Sequence, residues 1–311
     1  MKIVLPECIE ILSNRHVNQL KKLGVVFYNN FPKSEEEFMK RTKEAEIIVF
    51  KWYPKVSENI IKNASKLKYI VALSTGINFV DVDYASKKGV KVINCPNHNV
   101  YAVAEHVFTL MFSLVRNIVE AQTSIRKGDW KKSPYSYQGV ELSGKKLGII
   151  GYGKIGKDVA KIGKAIGMNI QYVNSKSSSD DIDKLISSSD FISLNIPLTK
   201  RTKNIIDKRR INLMKKTAYL INASRGEIID QQALFFTLKN RKIAGAGLDV
   251  FVNEPITDKA SLDIVKFAKL PNVITTPHLG FNTKESALRL GDEFIRNIEA
   301  ILKEKPINVV V

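Results

Sequence analysis

The sequence predicts an α/β protein built from two doubly wound parallel-sheet domains. Short Val- and Ile-rich runs alternate with longer stretches of helical spacing, the alternation breaks once near Pro96, and a glycine turn follows the first strand of the second series. A length of 311 residues suits two domains, and 44% apolar content with 17 Gly and 10 Pro excludes disordered and collagen-like chains. No run reaches the roughly 18 apolar residues of a membrane span. Met1 to Leu5 runs straight into Pro6 and Glu7, without the apolar core of a signal peptide, so a cytoplasmic location and no membrane partner are expected. Cys8 and Cys95 stand far apart and read as reduced, packed thiols rather than a metal or redox pair; no metal site is expected.

The first series of expected strands is 2–5, 25–28, 46–50, 69–73 and 90–93. From Asn99 to about Arg126, apolar Val103, Val107, Leu110, Met111, Leu114, Val115 and Ile118 predict one long buried helix. The second series is 146–151, 169–173, 190–196, 218–222, 244–249 and 272–275. The Ser- and Asp-rich stretch 175–189 reads as a loop and short helix between strands. Over 283–303, Ala287, Leu290, Phe294, Ile298 and Ile301 predict a closing helix, which must dock on a domain because it cannot bury that face alone.

The charge balance is strongly basic: 49 Lys and Arg against 31 Asp and Glu, or +18. Such a balance raises the question of an anionic partner. The lysines are scattered, often beside acids as between Glu35 and Glu44, and no basic block is interleaved with aromatics. Nucleic acid is therefore not the expected partner, whereas an anionic cofactor and substrate fit.

Such a cofactor is indicated by GYGKIG at 151–156, between an apolar strand and a stretch of helical spacing. Gly151 permits the tight turn, Gly153 admits a pyrophosphate close to the backbone, and Gly156 lets helix and strand pack. Lys154 and Ile155 open the helix, whose N-terminal N–H groups and dipole favour phosphate. About 20 residues on, where an acid would bind the ribose hydroxyls of NAD, stands neutral Asn174, followed by Ser175, Lys176 and Ser177. Without that carboxylate a 2′-phosphate is not repelled, and the following residues offer it donors and charge. NADP(H) is favoured, with NAD(H) the alternative.

Three polar residues follow apolar strands of the second series, at the carboxyl ends where such sheets hold ligands. Arg225 in LINASRG can clamp a carboxylate in bidentate fashion and polarise a neighbouring carbonyl. His278 in TPHLG can give a proton to a carbonyl oxygen as hydride reaches its carbon. Glu254 in GLDVFVNEP, if close to His278, would orient the ring and favour its charged form. Lys51, Trp52 and Tyr53 follow the third strand; Lys51 is a candidate contact for a polar or charged substrate tail, and Tyr53 a candidate for the pocket lining.

Taken together, VALSTGINFVD at 71–81, VAEH at 103–106, GYGKIG, NIPLTKRTKNII at 195–206, LINASRGEIID at 220–230, AGLDVFVNEP at 246–255 and TPHLG at 276–280 resemble the D-isomer-specific 2-hydroxyacid dehydrogenase family over nearly the whole chain. The resemblance implies a flavodoxin-like substrate domain of residues 1–98 plus 282–311 and a Rossmann cofactor domain of 99–281. It makes Arg225, Glu254 and His278 the catalytic set. It places Asp249 near the nicotinamide ring and its amide, and Pro197, Thr202, Ala223 and Ser224 in the cofactor cleft. By the same resemblance, backbone N–H groups of Ser74, Thr75, Gly76 and Ile77 meet the substrate carboxylate, and the segment 118–142 pairs two copies as a homodimer. Asn195 departs from the His often found there. No regulatory appendage of the kind carried by some phosphoglycerate dehydrogenases is expected after the last helix. The expected activity is hydride transfer between NAD(P)H and a small 2-keto acid such as glyoxylate or hydroxypyruvate. Two other readings are kept: a dinucleotide-sensing binding protein like the family's co-repressors, without turnover, and oxidation of formate or phosphite.

Overall fold

Alternation of apolar strand and amphipathic helix builds two parallel sheets, one in each of the two units into which the chain divides: Met1–Asn99 with Asn282–Val311, and Val100–Phe281. The computed structural model describes residues 1–6, 11–51, 55–130, 135–254 and 259–311. Cys8, Trp52, Tyr53 and Pro255, named above, lie outside the described residues.

The first unit contains β1 (Ile3–Leu5), α1 (Asn14–Lys22), β2 (Val25–Phe27), α2 (Glu35–Thr42), β3 (Ile47–Phe50), α3 (Glu58–Asn63), β4 (Tyr69–Ala72), α4 (Val82–Lys87) and β5 (Lys91–Ile93). Its sheet runs β2-β1-β3-β4-β5, with Ile3 opposite both Val25 and Ile47. Helix starts are fixed by Ser13, Ser34, Ser57 and Asp81, each of which accepts a backbone N–H from the first turn. Val4, Ile48, Phe50 and Ile70 face a core with Phe38 and Ile60, while Ile3, Leu5, Val49 and Val71 face the other side.

The second unit contains α5 (Val100–Val115), α6 (Ile118–Arg126), β6 (Lys146–Ile150), α7 (Lys154–Ala165), β7 (Asn169–Val173), α8 (Ser179–Ser188), β8 (Phe191–Leu194), α9 (Lys208–Leu213), β9 (Tyr219–Asn222), α10 (Gln231–Lys239), β10 (Gly245–Leu248), α11 (Leu262–Ala268) and β11 (Val273–Thr275). The sheet order is β11-β10-β9-β8-β6-β7. Both sheets thus share one winding, the second with an added strand. The order reverses between β6 and β8, so their carboxyl ends flank the crevice where such a sheet binds ligands.

The closing helix α12 (Lys284–Leu302) docks as a member of the first unit. Leu290, Phe294, Ile298 and Ile301 complete the core of Ile3, Leu5, Val49 and Val71. Gly291 makes the close approach to α1 possible, since a Cβ there would lie 2.2 Å from His16 Nδ1.

One expectation fails. The single buried helix over 99–126 is two helices bent by 62°. Asn117 adopts φ +50°, the left-handed conformation that Asn tolerates better than most residues, and its Nδ2 donates to the carbonyls of Tyr137 and Gln138. Only α5 is a core helix; Ile118, Val119 and Ile125 of α6 are about half exposed. Among the described residues no single helix is long and apolar enough to cross a membrane.

Candidate active site

The phosphate turn is built as its glycines require. Gly151 ends β6 at φ +97°, and a Cβ there would lie 2.3 Å from the Asn195 carbonyl oxygen at the end of β8. Gly156 sits on α7 against the turn, where a Cβ would meet Gly151 O at 2.0 Å. Gly153 is the N-cap of α7, and no side chain caps that end; among the described residues nothing lies within 4 Å of a Cβ placed on it. Helices α1, α2, α3 and α8 all have a serine there instead. An uncapped N-terminus over an open glycine, opened by Lys154 and Ile155, fits a phosphate. Gly156→Ala should therefore cost about 1–3 kcal/mol by overpacking against backbone that cannot yield. A lowered Tm and at least tenfold weaker dinucleotide binding are the expected readouts.

Beyond β7 the chain forms a polar turn. The Asn174 N–H donates to Ser177 Oγ at 3.1 Å, and the Lys176 N–H donates to Asn174 Oδ1 at 2.9 Å. Asn174, Ser175 and Lys176 are exposed, and none carries negative charge. Beyond β8, Thr202 Oγ1 donates to Pro197 O at 2.6 Å and accepts the Thr199 N–H, closing the loop on itself.

The turn after β9 carries Ala223, Ser224 and Arg225. Asn222, fully buried, accepts the Ser224 N–H on Oδ1 and donates from Nδ2 to Arg225 O, while Ser224 Oγ donates to Leu194 O. Arg225 is partly buried, and its Nη1 donates to Ser224 O at 2.6 Å. Burial pulls its pKa below the usual guanidinium value, while the charges of Glu254 and Glu227 oppose that shift. The next residue, Gly226, packs against the turn after β10: a Cβ on it would lie 2.0 Å from the Phe251 carbonyl carbon.

That second turn carries Glu254. Its Oε1 accepts the Phe251 N–H, and its Oε2 lies 2.7 Å from His278 Nδ1. His278 stands at φ +54° after β11, with its N–H donating to Asp249 O at 2.8 Å. The structure thus brings His278 and Glu254 together, with Arg225 within electrostatic reach of that carboxylate. Asp249 is 1% exposed and accepts from Thr276 Oγ1, the Leu279 N–H and the Gly280 N–H. Burial alone would raise its pKa, but these donors and His106 hold it below the usual carboxylate value.

Four supporting residues escaped the sequence reading: Asn222, Thr276, His106 and Gln231, whose Oε1 accepts the Val252 N–H at 2.8 Å. Asn222, His106 and Thr276 lie inside quoted motifs, but only the fold shows what they touch.

Lys51 and the loop at 74–77 belong to the first unit. There Ser74 Oγ donates to Gly76 O at 2.6 Å, Asn94 Nδ2 donates to Thr75 O at 2.7 Å, and Thr75 Oγ1 donates to Cys95 O at 3.2 Å. The loop is a built turn rather than a slack one.

Residues 108–280 match the sequence profile of the D-isomer specific 2-hydroxyacid dehydrogenase NAD binding domain. The chain is 39% identical over 281 residues to glycerate dehydrogenase of Methylorubrum extorquens, covering 88% of each protein. It is equally identical to D-3-phosphoglycerate dehydrogenase of Methanocaldococcus jannaschii, where the match covers 87% of this chain but only 52% of that protein, about half its length. Among solved structures it is similar to an acyclic imino acid reductase in complex with NADPH and D-Arg, with a TM-score of 0.90, 34% identity and full coverage of both chains.

Proposed function

The chain belongs to the D-isomer specific 2-hydroxyacid dehydrogenase family, and from that premise we propose that it reduces small 2-keto acids, such as glyoxylate or hydroxypyruvate, to D-2-hydroxy acids. The observation that carries this reading is the 2.7 Å contact of His278 Nδ1 with Glu254 Oε2, whose charge also acts on buried Arg225.

A nicotinamide dinucleotide, when bound, supplies the hydride. The open, uncapped start of α7 at Gly153 fits its pyrophosphate. Glu254 binds Nδ1 of His278, which leaves Nε2 to give its proton to the substrate's carbonyl oxygen; the carboxylate then neighbours a neutral ring, and reversal takes the proton back. Arg225 holds the substrate carboxylate and draws electron density from the adjacent carbonyl. Pro197, Thr202, Ala223 and Ser224 shape the cofactor side. Lys51, Ser74, Thr75 and Gly76 keep their proposed part toward the substrate. A homodimer through 118–142 belongs to the same proposal, and half-exposed Ile118, Val119 and Ile125 suit it.

NADPH is the proposed preferred donor, because the turn at 174–177 is without acid and contains Lys176. A panel of 2-keto acids with NADPH and with NADH, following absorbance and product chirality, tests the whole reading; no turnover with any acid would end it. Asn174→Asp should move the NADPH to NADH ratio of kcat/KM toward NADH by about tenfold or more, since a carboxylate would face the 2′-phosphate. An unchanged ratio would remove Asn174 as the discriminating residue.

A further inference from the structure

The geometry points to His106, on α5, as a positioning residue that holds the His278 turn through Thr276 and Asp249. This inference rests on the proposed hydride-transfer reading for its kinetic consequence, but not for its structural one.

His106 Nε2 lies 3.0 Å from Thr276 Oγ1 and 3.3 Å from Asp249 Oδ1, and its side chain is 15% exposed. Thr276 has one hydroxyl proton, and it goes to Asp249 Oδ1 at 2.6 Å. Toward His106 that oxygen can only accept, so Nε2 carries the proton and donates. The Asp249 carboxylate then receives three hydrogen bonds, from Thr276 Oγ1 and the backbone N–H groups of Leu279 at 2.7 Å and Gly280 at 2.8 Å, with the His106 imidazole 3.3 Å from its Oδ1. Two of these belong to the residues directly after His278. With its carboxylate committed to the turn and 1% exposed, Asp249 acts as the turn's anchor.

The glycines around it support the same conclusion. A Cβ on Gly280 would meet Asp249 Oδ2 at 3.0 Å and His106 Cδ2 at 3.5 Å, so the turn is pressed onto both side chains. A Cβ on Gly247 of β10 would lie 2.9 Å from Leu110 Cβ, one helical turn beyond His106. The bare strand lets α5 approach the sheet closely enough for the imidazole to reach Thr276.

Three substitutions test this. His106→Leu removes the donor and keeps apolar bulk; His106→Gln keeps an amide N–H donor; Thr276→Val removes the hydroxyl if the leucine variant fails to fold. In His106→Leu, kcat should fall roughly tenfold or more while dinucleotide Kd stays within about twofold, since a misplacement of about 1 Å is worth up to 10² in rate. Amide hydrogen exchange at Leu279 and Gly280 should speed up in the same variant. His106→Gln should restore both most of the way, and Thr276→Val should repeat the leucine pattern. Unchanged kcat and exchange in His106→Leu or Thr276→Val overturns the proposal, and so does a glutamine variant as impaired as the leucine one, which would show packing alone. Were the chain to turn over no 2-keto acid, the functional reading would fail, yet exchange at Leu279 and Gly280 would still decide whether His106 holds the turn.

Discussion

His278→Ala should lower kcat by about 10² to 10⁴-fold, the usual range for removing a positioned general acid, while dinucleotide Kd changes less than twofold. The reason lies in how little else the side chain does. It does not anchor the turn: the backbone is held by the His278 N–H to Asp249 O bond and by the Leu279 and Gly280 N–H bonds to the Asp249 carboxylate. These survive truncation to alanine, though φ +54° is more comfortable for His than for Ala and adds some strain. His278→Asn, which tolerates that conformation, therefore serves as the control for backbone effects. Both variants should lose kcat alike, because neither presents an ionisable group to the carbonyl oxygen. Glu254→Gln should fall between them and wild type: the amide oxygen can still accept the Nδ1 proton and orient the ring, but the hydrogen bond is no longer charge-assisted. Steady-state kinetics with the best keto acid, alongside a fluorescence titration of the dinucleotide, reads all three. Near-wild-type kcat in His278→Ala would remove the acid/base assignment.

What the sequence reveals of this site, and what it hides, follows from the range of each interaction. Strand and helix identity depends on local apolar periodicity, which is why β1 to β11 fall within two residues of their expected limits and α12 is bounded by its Thr283 cap. The glycine turn is equally local, because Gly151 and Gly156 answer to backbone a few residues away or on the adjacent strand. The break at Asn117 was hidden because apolar spacing continues through Ile118, and a single left-handed residue leaves no mark on periodicity. Arg225, Glu254 and His278 were legible as strand-end polar groups, yet their convergence depends on the strand order β11-β10-β9 that no local pattern encodes. Asp249 is placed near the nicotinamide by resemblance alone, and that its carboxylate also holds the turn at 276–280 shows only in the fold. His106 is 170 residues from Thr276 in sequence, and on a core helix it reads as packing until the tertiary contact is seen.

Arg225→Ala is expected to lower kcat/KM by about 10² to 10³-fold, equivalent to roughly 3–4 kcal/mol of transition-state stabilisation. Unlike the His278 loss, this one should appear in both constants. In the proposed reaction the guanidinium binds the substrate carboxylate in the ground state, which would set KM, and stabilises the oxygen on which charge grows as hydride arrives, which would set kcat. The protein accepts an energetic cost to keep the cation there: burial lowers its pKa, and the charges of Glu254 and Glu227 oppose that shift. Its backbone is fixed independently, through Asn222 Nδ2 to Arg225 O and through Gly226 packed on Phe251, so truncation should leave the turn in place. Arg225→Lys should recover only part of the loss, because an ammonium offers a point charge where a planar fork engages two carboxylate oxygens. A simple aldehyde lacking the carboxylate separates the two contributions. If Arg225 acts on both, wild type should discriminate strongly for the keto acid and Arg225→Ala hardly at all. A variant that keeps its discrimination would place the carboxylate elsewhere.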